Sequence, residues 1–265
     1  MKKIGFIGAG NMGKAIISGI ISSGITPAEN VIVYDVYKPA LTALADEFGI
    51  QVVTNESAVV ENSDLIVLAV KPGMVSGVIE KIAPSVSDEC VIVSIAAGIS
   101  IEKLSEGLPK QSKIVRVMPN TPATVGCGMS ALSPNQYLTD EERNFVKSVF
   151  DSFGKAEFVG EYLMDAVVGV SGSAPAYVYM FIEALADGAV YSGMPRQQAY
   201  QFAAQTVLGS AKMVLETGKH PGELKDAVTS PGGTTIEAVK SLEESGFRAA
   251  VIEAVVKAAE KNRNM

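Results

Sequence analysis

Near its start the chain reads Gly8-Ala9-Gly10-Asn11-Met12-Gly13, six residues set between a short apolar run and a longer amphipathic one. G-x-G-x-x-G in that setting constrains the fold more than any other stretch of the sequence. The run before it, KIGFIG (3–8), is apolar and reads as a strand. The run after it, NMGKAIISGIISSG (11–24), has helical period and ends at a glycine. Strand, glycine turn and helix in that order open a β-α-β unit. Gly8 permits the tight turn, Gly10 lets backbone approach a phosphate, and Gly13 lets the helix pack on the strand. The helix start adds free N–H groups and partial positive charge. The ligand this segment suits is therefore a dinucleotide, held by its pyrophosphate, with Ala9, Asn11 and Met12 in the same loop.

The alternation continues. VIVYD (31–35) reads as a strand and KPALTALADEFG (38–49) as a helix with a glycine stop. QVV (51–53), DLIVLAV (64–70), CVIVSIAAG (90–98) and KIVRVM (113–118) read as further strands, with a helix near 72–83. The strands are short, rich in β-branched residues and nearly continuous in apolarity, which predicts a mostly parallel sheet buried on both faces. The expectation is an α/β Rossmann-type, doubly wound domain over residues 1–160. After about Phe158 only helical period is left, so an all-α domain is expected over 161–265, with no low-complexity linker before it. Its first long helix is expected to kink at Pro175, and the tail KNRNM (261–265) to fray.

Ligands in such sheets lie at the strand ends. Asp35 ends the second strand, where a carboxylate accepts hydrogen bonds from the adenosine ribose and opposes a 2′-phosphate by like charge. A plain surface-loop aspartate is the alternative, and Lys38 offsets part of the charge. Ala69, Val70, Lys71 and Pro72 end the fourth strand. Ala96, Ala97 and Gly98 end the fifth, small enough to border a nicotinamide ring, and Pro119 and Asn120 end the sixth.

Composition excludes several classes. There are 22 basic and 29 acidic residues, a net charge of −7, and no basic run longer than Lys2–Lys3, which argues against nucleic acid. One histidine, His220, and two dispersed cysteines, Cys90 and Cys127, fit no metal spacing. Both cysteines read as small buried residues, and His220 as a loop residue. With tyrosine set aside, the longest strictly apolar run, 65–70, is far short of a membrane span. Gly5, Gly8 and Gly10 interrupt the leader-like start, so the reading is a cytoplasmic protein with no membrane partner. Hydrophobic residues make up 48%, which suggests surface buried between subunits.

A second unusual stretch is VTSPGGTTIEAV (228–239). Pro231, Gly232 and Gly233 form a turn, and a helix starts near Thr234. The N–H groups of Gly233, Thr234 and Thr235 would face an anion, with the hydroxyl of Ser230 beside them. An ordinary helix start, with Glu237 in the first turn, is the competing reading. The residues alone leave the two level.

Taken together, GFIGAGNMGKAI, LAVKP, SIAAGIS, RVMPNTP, SGSAPAYVYMFIEALADGAV and VTSPGGTTIEAV resemble pyrroline-5-carboxylate reductase, in the family's order and spacing. The resemblance implies a Rossmann domain followed by a helical dimerisation domain. It implies NAD(P)H-dependent reduction of the cyclic imine 1-pyrroline-5-carboxylate to L-proline, the last step of proline biosynthesis. It also implies homodimers, often assembled into larger rings, with the active site between the Rossmann domain of one subunit and helices of its partner. Ser230, Gly232, Gly233, Thr234 and Thr235 would hold the substrate, with the Thr235 hydroxyl placed catalytically by the ring nitrogen. The family usually prefers NADPH and often has Ser, Asn or Arg just after the second strand. This chain has Asp35-Val36-Tyr37-Lys38 there, so NADPH and NADH both stand. The family's adenosine-side asparagine is matched to Asn55, although the ungapped position is Glu56. Hydroxyacid dehydrogenases of similar plan carry a base lysine early in the second domain, and this chain has none between Lys155 and Lys212. An imine that arrives protonated needs no strong side-chain acid.

Overall fold

In a computed structural model, which describes residues 2–264, eight strands form one sheet in the order β3-β2-β1-β4-β5-β6-β7-β8. They are β1 (Ile4–Ile7), β2 (Val31–Tyr34), β3 (Gln51–Val52), β4 (Leu65–Leu68), β5 (Val91–Ser94), β6 (Lys113–Met118), β7 (Gly128–Pro134) and β8 (Gly154–Phe158). The first six pair in parallel, with Ile4 beside Val31 and Leu65, as the sequence predicts, although β3 at the sheet edge is exposed rather than buried. Helices α1 (Asn11–Ser23), α2 (Lys38–Phe48), α3 (Glu56–Glu61), α4 (Val75–Ile82), α5 (Ile101–Ser105) and α6 (Asp140–Asp151) connect them.

Strand alternation sends one set of side chains to each face. Ile4, Phe6, Leu65, Val67, Val91, Val93, Val115 and Val117 pack with Ile16, Ile17 and Ile20 of α1 and Phe150 of α6. Ile7, Ile66, Leu68, Ile92 and Ile114 pack on the other face with Val78, Ile79 and Ile82 of α4. Each of the larger side chains contributes about 1.5–3 kcal/mol by burial.

The sequence reading missed β7 and β8. β7 runs antiparallel to β6 and parallel to β8. It has no continuous apolar run, since Ser130 and Ser133 are among its buried residues. β8 is an edge strand with one buried residue, Ala156. Neither pattern rises above that of a loop.

After Phe158 no strand occurs among the described residues. The helices are α7 (Met164–Val167), α8 (Ala174–Tyr191), α9 (Arg196–Thr217), α10 (Pro221–Ala227), α11 (Thr234–Glu244) and α12 (Phe247–Arg263). Three expectations are corrected here. Pro175 does not kink a helix. A π-helical turn, Val168–Gly172, ends the preceding segment, and Pro175 sits in the first turn of α8, where its missing N–H has no partner to lose. The tail does not fray at Lys261: α12 runs to Arg263, and Asn262 is buried with its Nδ2 donating to Asp165 Oδ1 at 2.7 Å, while Met265 lies outside the described residues. Cys127 is exposed, because it follows the left-handed Gly126 in a turn and donates its N–H to Pro122.

The chain divides into two compact units. One runs to Gly172 and takes in the segment from Ala258 onward; the other is Ser173–Lys257. In the second unit α8 and α9 meet through Ala186, Ala199 and Ala203. The rings of Phe181 and Phe247 meet at a tilt of 40° with centres 5.9 Å apart, and Tyr177 donates to the Ala254 carbonyl. Much apolar surface of this unit is exposed, including Tyr179, Met180, Tyr191, Phe202 and Leu215.

The Asn262 amide, followed by Arg263, holds the Asp165 carboxyl below the usual carboxylate range. A depressed carboxylate stabilises the fold above its unfolded pKa, and that contribution is lost as pH falls through the folded value. Asn262→Ala should lower Tm by about 2–4 °C for the loss of about 1 kcal/mol. The Tm gap between the native chain and Asp165→Asn should narrow below about pH 4, read by thermal melts across pH.

Candidate active site

Strand order reverses between β1 and β4, so a crevice opens at their carboxyl ends. Gly8 donates its N–H to the Tyr34 carbonyl and Ala69 donates to Ile7, each at 2.8 Å. The glycine turn is thereby wedged between the ends of β2 and β4. Gly8 has φ +106°, and a Cβ there would lie 2.4 Å from the Ala69 carbonyl oxygen. A Cβ on Gly13 would lie 2.9 Å from the Gly8 oxygen, whereas one on Gly10 would meet nothing within 4 Å. Gly10 borders open space and caps α1 with no side-chain hydrogen bond. The first-turn N–H groups of Asn11, Met12 and Gly13 are thus left for a ligand.

Two cavities of about 260 Å³ each flank this turn. One is walled by Gly8, Tyr34, Asp35, Val36, Glu56 and Met74. The other is walled by Asn11, Met12, Ile95, Met118 and Pro119. Gly10, Ala69, Val70 and Lys71 border both. Lys71 is exposed and pairs with no carboxylate among the described residues, which leaves its charge at the lip that a pyrophosphate would cross. A nucleoside on each side and phosphates across the middle suit this shape. A larger opening of about 650 Å³, around Arg143 and Phe158, contains none of these residues.

Asp35 is rigidly held. Its Oδ2 accepts from the Ala9 N–H at 2.6 Å and its Oδ1 from the Tyr37 N–H at 2.7 Å. Asn55 does not reach the cavity: it caps α3, accepting from the Ala58 N–H at 2.8 Å. Glu56 stands on the wall instead, with its Oε1 accepting from Lys81 Nζ at 2.7 Å. That carboxylate raises the pKa of the exposed lysine. Pro72 starts the turn that brings Met74 to the wall but does not line it. Ala96, Ala97 and Gly98 line neither cavity; Ile95, just before them, does. The Asn120 amide is engaged within the protein, accepting from the Met129 N–H at 2.8 Å and donating to the Ser171 carbonyl and hydroxyl. The sequence points to Glu56 as the ungapped match to the family's asparagine and to Val36 as part of the segment after the second strand, whereas Tyr34, Met74, Ile95 and Met118 are not signalled there as site residues. For most of them the one available signal was adjacency to a strand end.

In the second unit, Pro231 and Gly232 turn the chain into α11, with Gly232 at φ +66°. Gly233 donates its N–H to the Ser230 carbonyl at 3.1 Å, which corrects the expectation that this group faces an anion. Gly233 caps α11 without a side-chain hydrogen bond, so the free N–H groups are those of Thr234, Thr235 and Ile236. A Cβ on Gly233 would meet Ser230 Oγ at 2.4 Å. Thr229 turns its hydroxyl onto the Lys225 carbonyl, while those of Ser230, Thr234 and Thr235 have no protein partner among the described residues. His220 is not a loop residue but the cap of α10, its Nδ1 accepting from the Gly222 N–H.

Comparison with known proteins covers the whole chain. Residues 161–265 match the family model described as pyrroline-5-carboxylate reductase dimerisation, and residues 3–98 match that of NADP oxidoreductase coenzyme F420-dependent. The chain is 54% identical to the pyrroline-5-carboxylate reductase of Escherichia coli K12, over 100% of this chain and 98% of that one. The chain belongs to the pyrroline-5-carboxylate reductase family. The Methanosarcina acetivorans member is 48% identical, again over 100% and 98%. Among solved structures, the reductase of Coxiella burnetii superposes with a TM-score of 0.94 at 33% identity, covering 99% and 98%. That of Plasmodium falciparum, solved with NADP bound, gives 0.88 at 35%, covering 99% and 97%. No helix among the described residues is long and apolar enough to cross a membrane, and they hold no cluster of metal-binding side chains.

Gly8→Ala should abolish measurable dinucleotide binding and lower Tm, because both the left-handed backbone and the Ala69 carbonyl oppose a Cβ. Gly10→Ala, with open space at its Cβ, should weaken binding while leaving Tm within about 2 °C, as a residue outside the packed interior does. Titration calorimetry and thermal melts check both.

Proposed function

We propose that the protein reduces 1-pyrroline-5-carboxylate to L-proline with NADPH or NADH, as its family does. The observation that carries this reading is the start of α11: a glycine turn, free N–H groups on Thr234, Thr235 and Ile236, and unpartnered hydroxyls on Ser230, Thr234 and Thr235. A helix start of this kind suits a carboxylate. Charge-assisted hydrogen bonds contribute about 1.5–3 kcal/mol each, and the helix dipole adds about 0.3–1 kcal/mol.

The dinucleotide, when bound, supplies a hydride. The residues of the first unit hold and orient it: Gly8, Ala9, Gly10, Asn11, Met12 and Gly13 at the phosphates, with Ala69, Val70 and Lys71 on the lip and Pro119 on the second wall. Asp35 and Glu56 face the adenosine side. Pro72, Asn55 and Asn120 act through the segments they shape, as do Ala96, Ala97 and Gly98. In the second unit Ser230, Gly232 and Thr234 hold the substrate carboxylate, with Gly233 shaping the turn, and Thr235 sets its hydroxyl against the ring nitrogen. A protonated imine is already electrophilic, so that hydroxyl orients the C=N bond and keeps the nitrogen proton in place.

The exposed apolar surface of Ser173–Lys257 and the dimerisation model over 161–265 support a homodimer, with dimers joining into a larger ring. The cytoplasm is the proposed compartment. Light scattering should give a multiple of twice the 27.7 kDa subunit; a monomer would remove the assembly reading.

The purified protein should consume reduced nicotinamide when given pyrroline-5-carboxylate and form proline. Cofactor binding without turnover would mean that the α11 start anchors another anion. Thr235→Ala should lower kcat by about 10²-fold, within the range for lost proton-positioning groups, with an unchanged circular dichroism spectrum. Near-normal turnover would remove Thr235 from the reaction.

A further inference from the structure

The adenosine-side cavity is walled by two carboxylates, and no arginine lines it. Asp35 is fixed by two backbone N–H groups, at 2.6 and 2.7 Å, so it cannot swing aside. Glu56 comes from a different element, the first turn of α3, and is only 6% exposed. Its Oε1 accepts from Lys81, and its Oε2 has no protein partner among the described residues. Lys81 does not line the cavity and its side chain is 60% exposed, so it approaches Glu56 from the solvent side. Lys71 is the one cation of this wall, and it stands on the lip shared with the second cavity. Lys38 is exposed and outside the wall.

A ribose with free hydroxyls and a ribose bearing a 2′-phosphate meet this wall differently. Hydroxyls donate to carboxylates. A phosphate monoester carries nearly two negative charges, donates little, and finds two anions against one cation, Lys71 on the lip. Resting on the dinucleotide reading above, we infer that the protein selects NADH over NADPH, that Glu56 is a second specificity-determining residue beside Asp35, and that Lys81 sets how strongly Glu56 repels. The two residues then have opposite effects. Removing the Glu56 charge relieves repulsion. Removing Lys81 leaves that charge uncompensated and increases it.

The test is calorimetric binding of NAD+ and NADP+, each alone, to the native protein, Glu56→Gln, Lys81→Met and the double variant. The native protein should bind NAD+ more tightly. The ratio of NADP+ to NAD+ dissociation constants should fall by about tenfold in Glu56→Gln and rise by about threefold in Lys81→Met, as expected for one charge at partly screened range. The double variant should match Glu56→Gln, because Lys81 then has no charge to compensate. Three outcomes overturn the inference: a native preference for NADP+, a ratio unmoved by Glu56→Gln, or an equal effect of Lys81→Met with and without Glu56, which would mean that Lys81 meets the phosphate itself. If Glu56→Gln does not fold, Glu56→Leu takes its place in both the single and the double variant, and an unmoved or lowered ratio in Lys81→Met overturns the inference in either case. Failure of both dinucleotides to bind any form would instead remove the dinucleotide reading, and this inference with it.

Discussion

The crevice depends on one close approach, that of the Gly8 backbone to the Ala69 carbonyl. A left-handed residue at the end of β1 lets the chain reverse into α1 within van der Waals distance of β4. With a Cβ at that point the turn would have to move, and the unpaired N–H groups of α1 would move with it. The Asp35 carboxylate completes the arrangement from β2 by holding the Ala9 N–H. Three neighbouring strands therefore converge on one turn, and the parallel register keeps them level: Ile7 pairs with both Tyr34 and Leu68.

A second device of the same physical kind occurs in the other unit without any strand. The turn at Gly232 and Gly233 brings backbone to the start of α11, and the cap there lacks a side-chain acceptor. Both helix starts leave N–H donors unpaired and are capped by glycine; a Cβ would crowd Ser230 at the Gly233 cap, and Ala69 at Gly8, two residues before the Gly10 cap. In a family that joins a dinucleotide to a carboxylate-bearing imine, two anion-receptive helix starts are what the chemistry asks for.

Asp35 shows how a residue can serve stability and selection together. Its two backbone hydrogen bonds shape the glycine turn, while its charge remains on the wall of the adenosine-side cavity. Glu56 accepts from Lys81 and, as the first residue of α3, stands where the helix dipole favours a carboxylate, so its place on that wall also has a local tie. Asn55, one residue earlier, has a different one: it caps α3. A one-residue difference in register separates a capping side chain from a cavity wall: the ungapped match falls on Glu56, which lines the wall, while the match by residue type falls on Asn55, which caps the helix.

The sequence by itself determined the elements whose signal is local. Gly8, Gly10 and Gly13 between a strand and a helix, the continuous apolar strands through Met118, and the helical period after Phe158 all reflect short-range backbone and burial rules. Those rules act on neighbouring residues, so they can be read without the fold. Only the tertiary structure decided the rest. The antiparallel β7 has buried serines in place of an apolar run, because the sheet and not its own composition stabilises it. The end of α12 is ordered by Asp165, 97 residues away from Asn262. Asn120 is taken up by Met129 and Ser171, and Glu56 is brought beside Asp35 by the packing of α3 at the edge of the crevice. In each case the deciding partner is distant in sequence, and a residue's chemistry does not reveal which distant group will stand next to it.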